Sequence, residues 1–329
     1  MSSTQRIIRA AVGSQRVAHR CLTLGLAMAI DRFCGEAPVA LHPVVWMGQL
    51  ISAEERFLPR QGKYRQLAAG AMLVSANMLL AGVSGVATMH ILHRLPRQLR
   101  LIGEGVLLST LFSIQMLRSE AHRCTQYVVQ NDLSRAREAL RALVSRDTAQ
   151  LDSPTILAAV TESVAENTCD SVVAPLLAYI LTGLPGAVLY RMANTMDAML
   201  GYRGHYEYLG KAAARLDDLL NWLPARLTAG LFLVTAPLIG MSSRRAWQIG
   251  WRDHRLTASP NAGWPMSVAA GALGARLEKR SHYVLGRELP AASPATVAGM
   301  ITLLDATTAL LTGLIAIAGL ISRICASRL

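Results

Sequence analysis

Charge and aromatic rings are scarce in this chain, and the signatures of common soluble catalysis are missing from it. Only 16% of its residues are charged and 5% aromatic, against 52% hydrophobic and a mean hydropathy of +0.32. An ordinary soluble domain carries more charge than this, so the bilayer is the expected solvent. With few aromatics, the apolar weight falls on Leu, Ala, Val, Ile and Met, which favour helices over the aromatic girdles of a β-barrel. No run alternates as strands do, no segment repeats and no low-complexity linker divides the chain. Five scattered cysteines, Cys21, Cys34, Cys124, Cys169 and Cys325, form no CxxC pair, which argues against a zinc knuckle and a disulfide framework. There is no GxxxxGK[ST], no GxGxxG after a strand, no HExxH and no GxSxG, so any nucleotide must be held by carboxylates and arginines instead of a phosphate loop. Acids are the minority charge, 21 against 33 Lys and Arg for a net +12. In a membrane chain that balance points to anionic lipid and acidic substrates before nucleic acid. The short apolar run after the N-terminal arginines lacks a small-residue cleavage pattern, so removal as a signal peptide is not expected.

Three stretches approach or exceed the helical length needed to cross roughly 30 Å of hydrocarbon: residues 67–92, 101–117 and 295–321. Residues 17–31, 172–190 and 227–241 are weaker candidates. Pro175, Gly183, Pro185 and Gly186 interrupt the second and Pro237 the third, so these two are expected to dip into the membrane without crossing. That topology leaves most Lys and Arg, and all the polar blocks, on the cytoplasmic side. The expected fold is an all-α polytopic integral membrane helical bundle with broken or re-entrant helices and cytoplasmic helical segments. Residues 1–329 are expected to form a single membrane-embedded domain.

Chemistry is concentrated in the polar blocks. In TESVAENTCD, Glu162, Glu166 and Asp170 recur every four residues and share one helical face, with Asn167 beside them. Stacked like charges cost about 0.2–0.5 kcal/mol per pair, so a cation such as Mg²⁺ or an arginine cluster is expected to offset them. A solvated acidic face is the competing reading, and the position beside a broken apolar helix favours a site. YRMANTMDAMLGY sets Asn194 and Asp197 three apart after the Pro/Gly break, where unpaired backbone groups can meet a ligand. Capping of a neighbouring helix explains that pair equally well, and the methionines read as core filling. RLDDLLNWLPARL puts Asp217 and Asn221 at i, i+4, with Asp218 adjacent and Arg226 beyond Pro224. Paired carboxylates suit a divalent ion on nucleotide phosphates, and a salt-bridged helix end is almost as good a reading. Two Gly/Pro-containing blocks offer Asp31, Arg32, Glu36 and His42, and Arg252, Asp253, Ser259 and Asn261, as anion and hydrogen-bond contacts. His42 before Pro43 reads equally as a turn histidine, and Arg146 beside Asp147 as a phosphate contact or an ordinary ion pair. Asp305, inside the last apolar stretch, is expected to be structural and satisfied by Thr302, Thr307 and Thr308.

Taken in order, DRFCGEAP with LHPVVWMG, RDTAQLD, ESVAENTCDSVVAPL, GLPGAVLYRMANTMDAMLGY, RLDDLLNWLPARL and SPNAGWPMSVAAGALG resemble the adenosylcobinamide-phosphate synthase family (CobD/CbiB) of cobalamin biosynthesis. The resemblance runs from about residue 22 to beyond residue 280. It implies a multi-pass protein of a bacterial inner membrane with its active site facing the cytoplasm. It implies an acid–amine ligase joining adenosylcobyric acid to aminopropanol or aminopropanol phosphate, giving adenosylcobinamide or its phosphate. ATP as co-substrate and Mg²⁺ are implied with it, and no tightly bound prosthetic group. The implied partners are the corrinoid acid, the amine, the lipid bilayer and other cobamide-assembly enzymes, with no nucleic acid.

On that reading Glu162, Glu166, Asp170, Asp197, Asp217 and Asp218 include the metal ligands, with Glu166 and Asp218 essential to synthesis. Asp31, Arg146, Arg226 and Arg252 are expected to contact substrate or phosphate, and Asn167, Asn194, Asn221 and Asn261 to orient substrates. Asp253 and His42 are the candidates for a general base. Glu36 stands where the family's usual Asp is expected, and the N-terminus is extended by about twenty residues. The rival readings are a transporter built on Asp305 and the broken stretch 172–190, and a non-catalytic AmpE-like sensor or scaffold.

Overall fold

The computed structural model describes residues 3–202, 204 and 206–327. Among them the chain forms fourteen α-helices, a 3-10 turn, a π-turn and one short β-hairpin. It divides into two compact units, each drawn from separated parts of the sequence. The side chain of Cys325 lies outside the described residues, and Cys21, Cys34, Cys124 and Cys169 form no disulfide.

The first unit comprises Met1–Ser113, Pro175–Leu219 and Leu311–Leu329. It contains α1 (Ser3–Cys34), α2 (Pro43–Glu55), α3 (Lys63–His93), α4 (Arg97–Ser109), α8 (Ala174–Thr182) after its first residue, α9 (Leu184–Leu200) and α10 (Lys211–Leu220) up to its penultimate residue. Pro43, Pro96 and Pro185 mark helix starts, where a fixed φ and a missing N–H cost nothing. The core joins Met47 and Ile51 of α2, Leu73 and Ala81 of α3, and Met192, Met196 and Leu200 of α9. Two of the methionines flanking Asn194 and Asp197 are therefore core filling, as the sequence suggests. Gly70 and Gly85 let α3 approach backbone directly: a Cβ on Gly70 would strike the Leu209 carbonyl, and one on Gly85 would sit 2.8 Å from Pro185 Cα.

The second unit comprises Ile114–Ala174 and Leu220–Leu310. It contains α5 (Ile114–Val129), α6 (Leu133–Leu140), α7 (Ser153–Thr168), α11 (Trp222–Leu238), α12 (Ser243–Asp253), α13 (Gly263–Leu273), β1 (Leu277–Lys279), β2 (Tyr283–Leu285) and the first part of α14 (Pro294–Ser327). α7 begins where Asp152 accepts the Thr155 N–H at 3.1 Å and Pro154 occupies the first turn. Every residue of α7 from Thr155 to Ala165 is buried, and the helix packs against α5, α6, α13 and β1. The antiparallel hairpin pairs Leu277 with Leu285 and turns through Ser281 at φ +63°. No alternating pattern announces it, because each strand is only three residues long.

This is an all-α integral membrane protein: α3, the stretch Arg97–Val129 and Pro294–Ile324 are long and apolar enough to cross a bilayer. Met72, Leu79, Val83 and Val86 give α3 an exposed apolar stripe suited to lipid. The expected spans 67–92 and 295–321 lie inside α3 and α14, and 17–31 lies inside α1. The span 101–117 contains a turn, where the Thr110 hydroxyl bonds the Leu107 carbonyl at 2.7 Å between α4 and α5. Residues 172–190 are broken by the π-turn Cys169–Val173 and by Gly183 at φ +81°. Residues 227–241 fall mostly in α11, which with α10 makes a pair bent by 47°, a broken span or a re-entrant segment.

Two acids in these apolar stretches have defined partners. Glu104 of α4, 2% exposed, meets His19 Nε2 at 2.7 Å and accepts the Tyr179 hydroxyl at 2.7 Å. Asp305 pairs with Arg118 of α5 at 3.4 Å, which corrects the expectation that threonines satisfy its carboxylate. Thr302 instead bonds the Ala298 carbonyl, Thr307 meets Thr235, and Thr308 donates to the backbone oxygen of Asp305. The spacing of residues along one helix did not disclose the arginine on another. The close packing yields a test: Gly85→Val should destabilise the detergent-solubilised protein by about 1–3 kcal/mol, the cost of overpacking against backbone, read as a lowered midpoint of thermal unfolding, while Gly230→Ala, with open space around it, should change little.

Candidate active site

In the second unit the acidic stripe of α7 ends at the π-turn, an irregularity that inserts one residue per turn and recurs at functional sites. Glu162 is 4% exposed. Its Oε2 accepts from Arg146 at 3.3 Å, and its Oε1 has no hydrogen-bond partner among the described residues. Burial pushes the Glu162 carboxyl up to about 7, with the Glu166 charge adding to the rise and Arg146 and Lys279 opposing it. Tyr283 of β2 is raised by its own burial and by the charges of Glu162 and Glu166, so the hairpin brings Lys279 and Tyr283 to the acidic face of α7. Neither residue stands out in the sequence, since a Lys and a Tyr on a three-residue strand carry no spacing signal.

Asn167 donates to the Ser163 carbonyl at 2.9 Å and accepts the Ser171 hydroxyl at 3.0 Å, so its amide bridges α7 and the π-turn. Asp170 lies within that turn, half-buried, and the neighbouring Cys169 thiol is 3.9 Å from Asn221 Oδ1 at the start of α11. Arg226, one turn into α11, donates to Asn261 at 3.0 Å and stacks over Trp222 and Trp264. Arg252 grips Asp253 through two bonds of 2.6 and 2.8 Å and Glu288 through two more of 2.9 and 3.0 Å. Asp253 also accepts the Gly286 N–H at 2.8 Å. Burial works to raise the Asp253 carboxyl, but the Arg252 and Gly286 bonds outweigh it and hold it below the usual range. Its geometry is that of a latch between the end of α12 and the loop after β2.

The first unit holds the remaining positions. Asn194 and Asp217 are brought together, the amide donating to Asp217 Oδ1 at 3.3 Å, and Arg191 reaches Asn194 Oδ1 at 3.4 Å. Asp217 is buried and Asp218 beside it half-buried. Asp197 packs against Gly201, where a Cβ would strike its carboxylate. Asp31 is 2% exposed near the end of α1. His42 sits at the N-terminal end of α2, buried, with Nδ1 unbonded among the described residues. Burial lowers its pKa; Glu36 opposes that and Arg191 adds to it. Arg191 is thus a cation of this cluster that the sequence reading passed over.

Oxygen donors dominate both clusters, the chemistry that Mg²⁺ prefers. No group of three or more His, Cys, Asp or Glu among the described residues is gathered closely enough to hold a metal ion. The structure offers instead Glu162 and Glu166 one turn apart on α7, and Asp217 and Asp218 adjacent in sequence on α10. Pairs suffice for an ion that keeps several waters and takes its other ligands from a nucleotide.

A family profile described as CobD/Cbib protein matches residues 24–310. The cobalamin biosynthesis protein CobD of Dehalococcoides mccartyi is 43% identical over 85% of this chain and 91% of its own. That of Geobacter metallireducens is 39% identical, over 85% and 87%. A probable cobalamin biosynthesis protein CobD of Methanocaldococcus jannaschii is 37% identical, over 80% and 88%. No solved structure matches the chain.

The latch makes a pH-dependent prediction. Because the folded Asp253 pKa is depressed, its stabilisation is present above the unfolded value of about 3.9 and is lost as pH falls through the folded pKa. Asp253→Asn should therefore cost about 2 kcal/mol near neutrality, kept below the buried-pair range because Arg252 is half exposed. Unfolding midpoints of variant and wild type should converge as the buffer is made acidic enough to protonate the carboxylate in the folded protein, below the ordinary carboxylate range.

Proposed function

Since the chain belongs to the CobD/CbiB family and hence to cobalamin biosynthesis, we propose that it catalyses the ATP-dependent ligation of adenosylcobyric acid with aminopropanol or aminopropanol phosphate. The product is adenosylcobinamide or its phosphate. The observation that carries this reading is the buried Arg146–Glu162 pair, with a carboxylate oxygen left without a partner beside Glu166. Such a site suits a positively charged amine and a negatively charged phosphoryl group at once.

A carboxylate does not acylate an amine unaided. Phosphoryl transfer from ATP to the corrinoid propionate gives an acyl phosphate, which the amine then attacks, and water must be kept out meanwhile. Arg146 and Arg226 are the arginines we assign to phosphate or corrin carboxylate and amide groups. Arg252 already spends four donor contacts on Asp253 and Glu288, and we assign it to holding the loop after β2. Glu166 and Asp170 in the second unit, and separately Asp217 and Asp218 in the first, are the carboxylates we assign to Mg²⁺, which would screen the nucleotide phosphates when bound. Asn194, tied to Asp217, fixes the orientation of that carboxylate. The apolar spans support a membrane location, and we assign the protein to a bacterial inner membrane, multi-pass, with these groups on the Lys- and Arg-rich cytoplasmic side.

The ion pair of Asp305 with Arg118 weighs against the transporter reading, because an acid already neutralised by a neighbouring helix is a poor relay. The test is direct synthesis. Purified protein given adenosylcobyric acid, ATP, Mg²⁺ and each amine in turn should yield a corrinoid whose mass equals acid plus amine less water, and mass spectrometry identifies the amine used. Asp218→Ala and Glu166→Ala should each lower turnover by about 10²-fold or more without loss of the folded protein. Uptake of corrinoid into proteoliposomes with no amide product would overturn the reading.

A further inference from the structure

In the second unit, α12 packs one face on α13 and leaves the other in the open. Ala246, Ile249 and Gly250 are buried on the inner face, where a Cβ on Gly250 would sit 2.5 Å from Val268 Cγ2. The outer face carries Trp247 and Trp251, 51% and 61% exposed, with their rings stacked at 5.4 Å. Indole is the largest apolar side chain, and two of them side by side form a surface that water covers poorly.

Arginines bracket this pair. Arg244, Trp247, Trp251 and Arg255 follow one another at intervals of three, four and four residues, which keeps them on one side of a helix. Arg255 lies just past the last helical residue, and His254 before it still has helical backbone angles. Arg244 and Arg255 are exposed and form no ion pair among the described residues. The other charges of the element are engaged: Arg245 donates to the Gly271 and Ala272 carbonyls, and Arg252 is shared between Asp253 and Glu288. Asp253 is the one acid of α12 and it is buried, so the outer stripe is aromatic and cationic with no carboxylate of its own helix upon it.

We propose that this stripe docks on the headgroup layer of an anionic bilayer, with Arg244 and Arg255 on lipid phosphates and the two indoles just beneath them. Docking of α12 on lipid is independent of the reaction assigned above. Three observations favour lipid over a protein partner. α12 begins after a link of only four residues, Ile239–Ser242, from the apolar α11, whose Leu227, Val234 and Leu238 are exposed at helical spacing. A chain already embedded by its apolar helices therefore delivers α12 to the membrane surface. The composition of the stripe is that of an interfacial helix, since indole pairs an apolar body with a polar N–H, and arginine reaches the phosphate layer on an apolar stem. The net charge of +12 suits an anionic leaflet. Arg252 and Asp253 close the same helix, so docking holds their latch on the loop after β2 close to the lipid.

The test uses the full-length protein in nanodiscs of phosphatidylcholine mixed with phosphatidylglycerol, with bromine on the acyl chains of one lipid or the other. At equal mole fraction, brominated phosphatidylglycerol should quench tryptophan fluorescence more than brominated phosphatidylcholine. The excess should vanish in Trp247→Phe/Trp251→Phe, where Trp46, Trp222 and Trp264 remain as emitters. Arg244→Gln/Arg255→Gln should lower the relative affinity for phosphatidylglycerol by about fivefold or more, and Arg244→Lys/Arg255→Lys should keep the preference. Raising salt from about 0.05 to about 0.5 M should reduce the wild-type excess. Equal quenching by the two brominated lipids in wild type, or an excess that survives the glutamine pair, overturns the proposal. So does a wild type that is dimeric in the disc and monomeric as Trp247→Ser/Trp251→Ser, with no lipid preference in either, because the stripe is then covered by a second copy. Should the glutamine pair fail to assemble, a wild-type excess indifferent to salt overturns it equally.

Discussion

Holding the Glu162 carboxylate inside α7 is the constraint around which the second unit is organised. A charge removed from water must be matched by an opposite charge and by hydrogen bonds, or it takes up a proton. Arg146 supplies the match for one oxygen only, the other has no hydrogen-bond partner among the described residues, and the charge of Glu166 acts against ionisation. The carboxyl is therefore held above the ordinary glutamate range, a poor arrangement for stability and one that clusters at functional sites. Much nearby structure serves to maintain it: Pro154 and the Asp152 cap start α7, Ser163 and Ser171 tie Asn167 across the π-turn, and the hairpin is carried by the loop that Arg252 and Asp253 anchor.

The same logic, with the opposite result, runs through the apolar stretches. Glu104 is given His19 and Tyr179, one for each oxygen, and Asp305 is given Arg118. These acids have defined partners, so they tie helices together and leave little differential affinity for a passing ion. An acid in an apolar segment marks function only when its pairing is incomplete, and by that standard Glu162 outranks both.

Family membership and architecture fit each other. The chain belongs to cobalamin biosynthesis and its polar blocks fall between its apolar helices. Both units contribute residues from those blocks: Asn194, Asp197, Asp217 and Asp218 in the first, Glu162, Glu166, Asn167, Asp170 and Asn221 in the second. The chain passes from one unit to the other four times, after Ser113, Ala174, Leu219 and Leu310.

What the linear order of residues determined by itself was local. Apolar length set α3 and α14, because a segment in hydrocarbon must satisfy its own backbone and only a helix does so within one chain segment. Four-residue spacing put Glu162 and Glu166 on one face, since the helical repeat is fixed by backbone geometry, and the ordered motifs gave the family. Tertiary packing decided the partners. It paired Asp305 with Arg118 instead of its own threonines, engaged Asp253 with Arg252 and Gly286, brought in Lys279, Tyr283 and Arg191, and left one Glu162 oxygen unbonded. Those choices depend on which distant surfaces meet and how dry the junction is, and neither quantity has a period or a motif to reveal it.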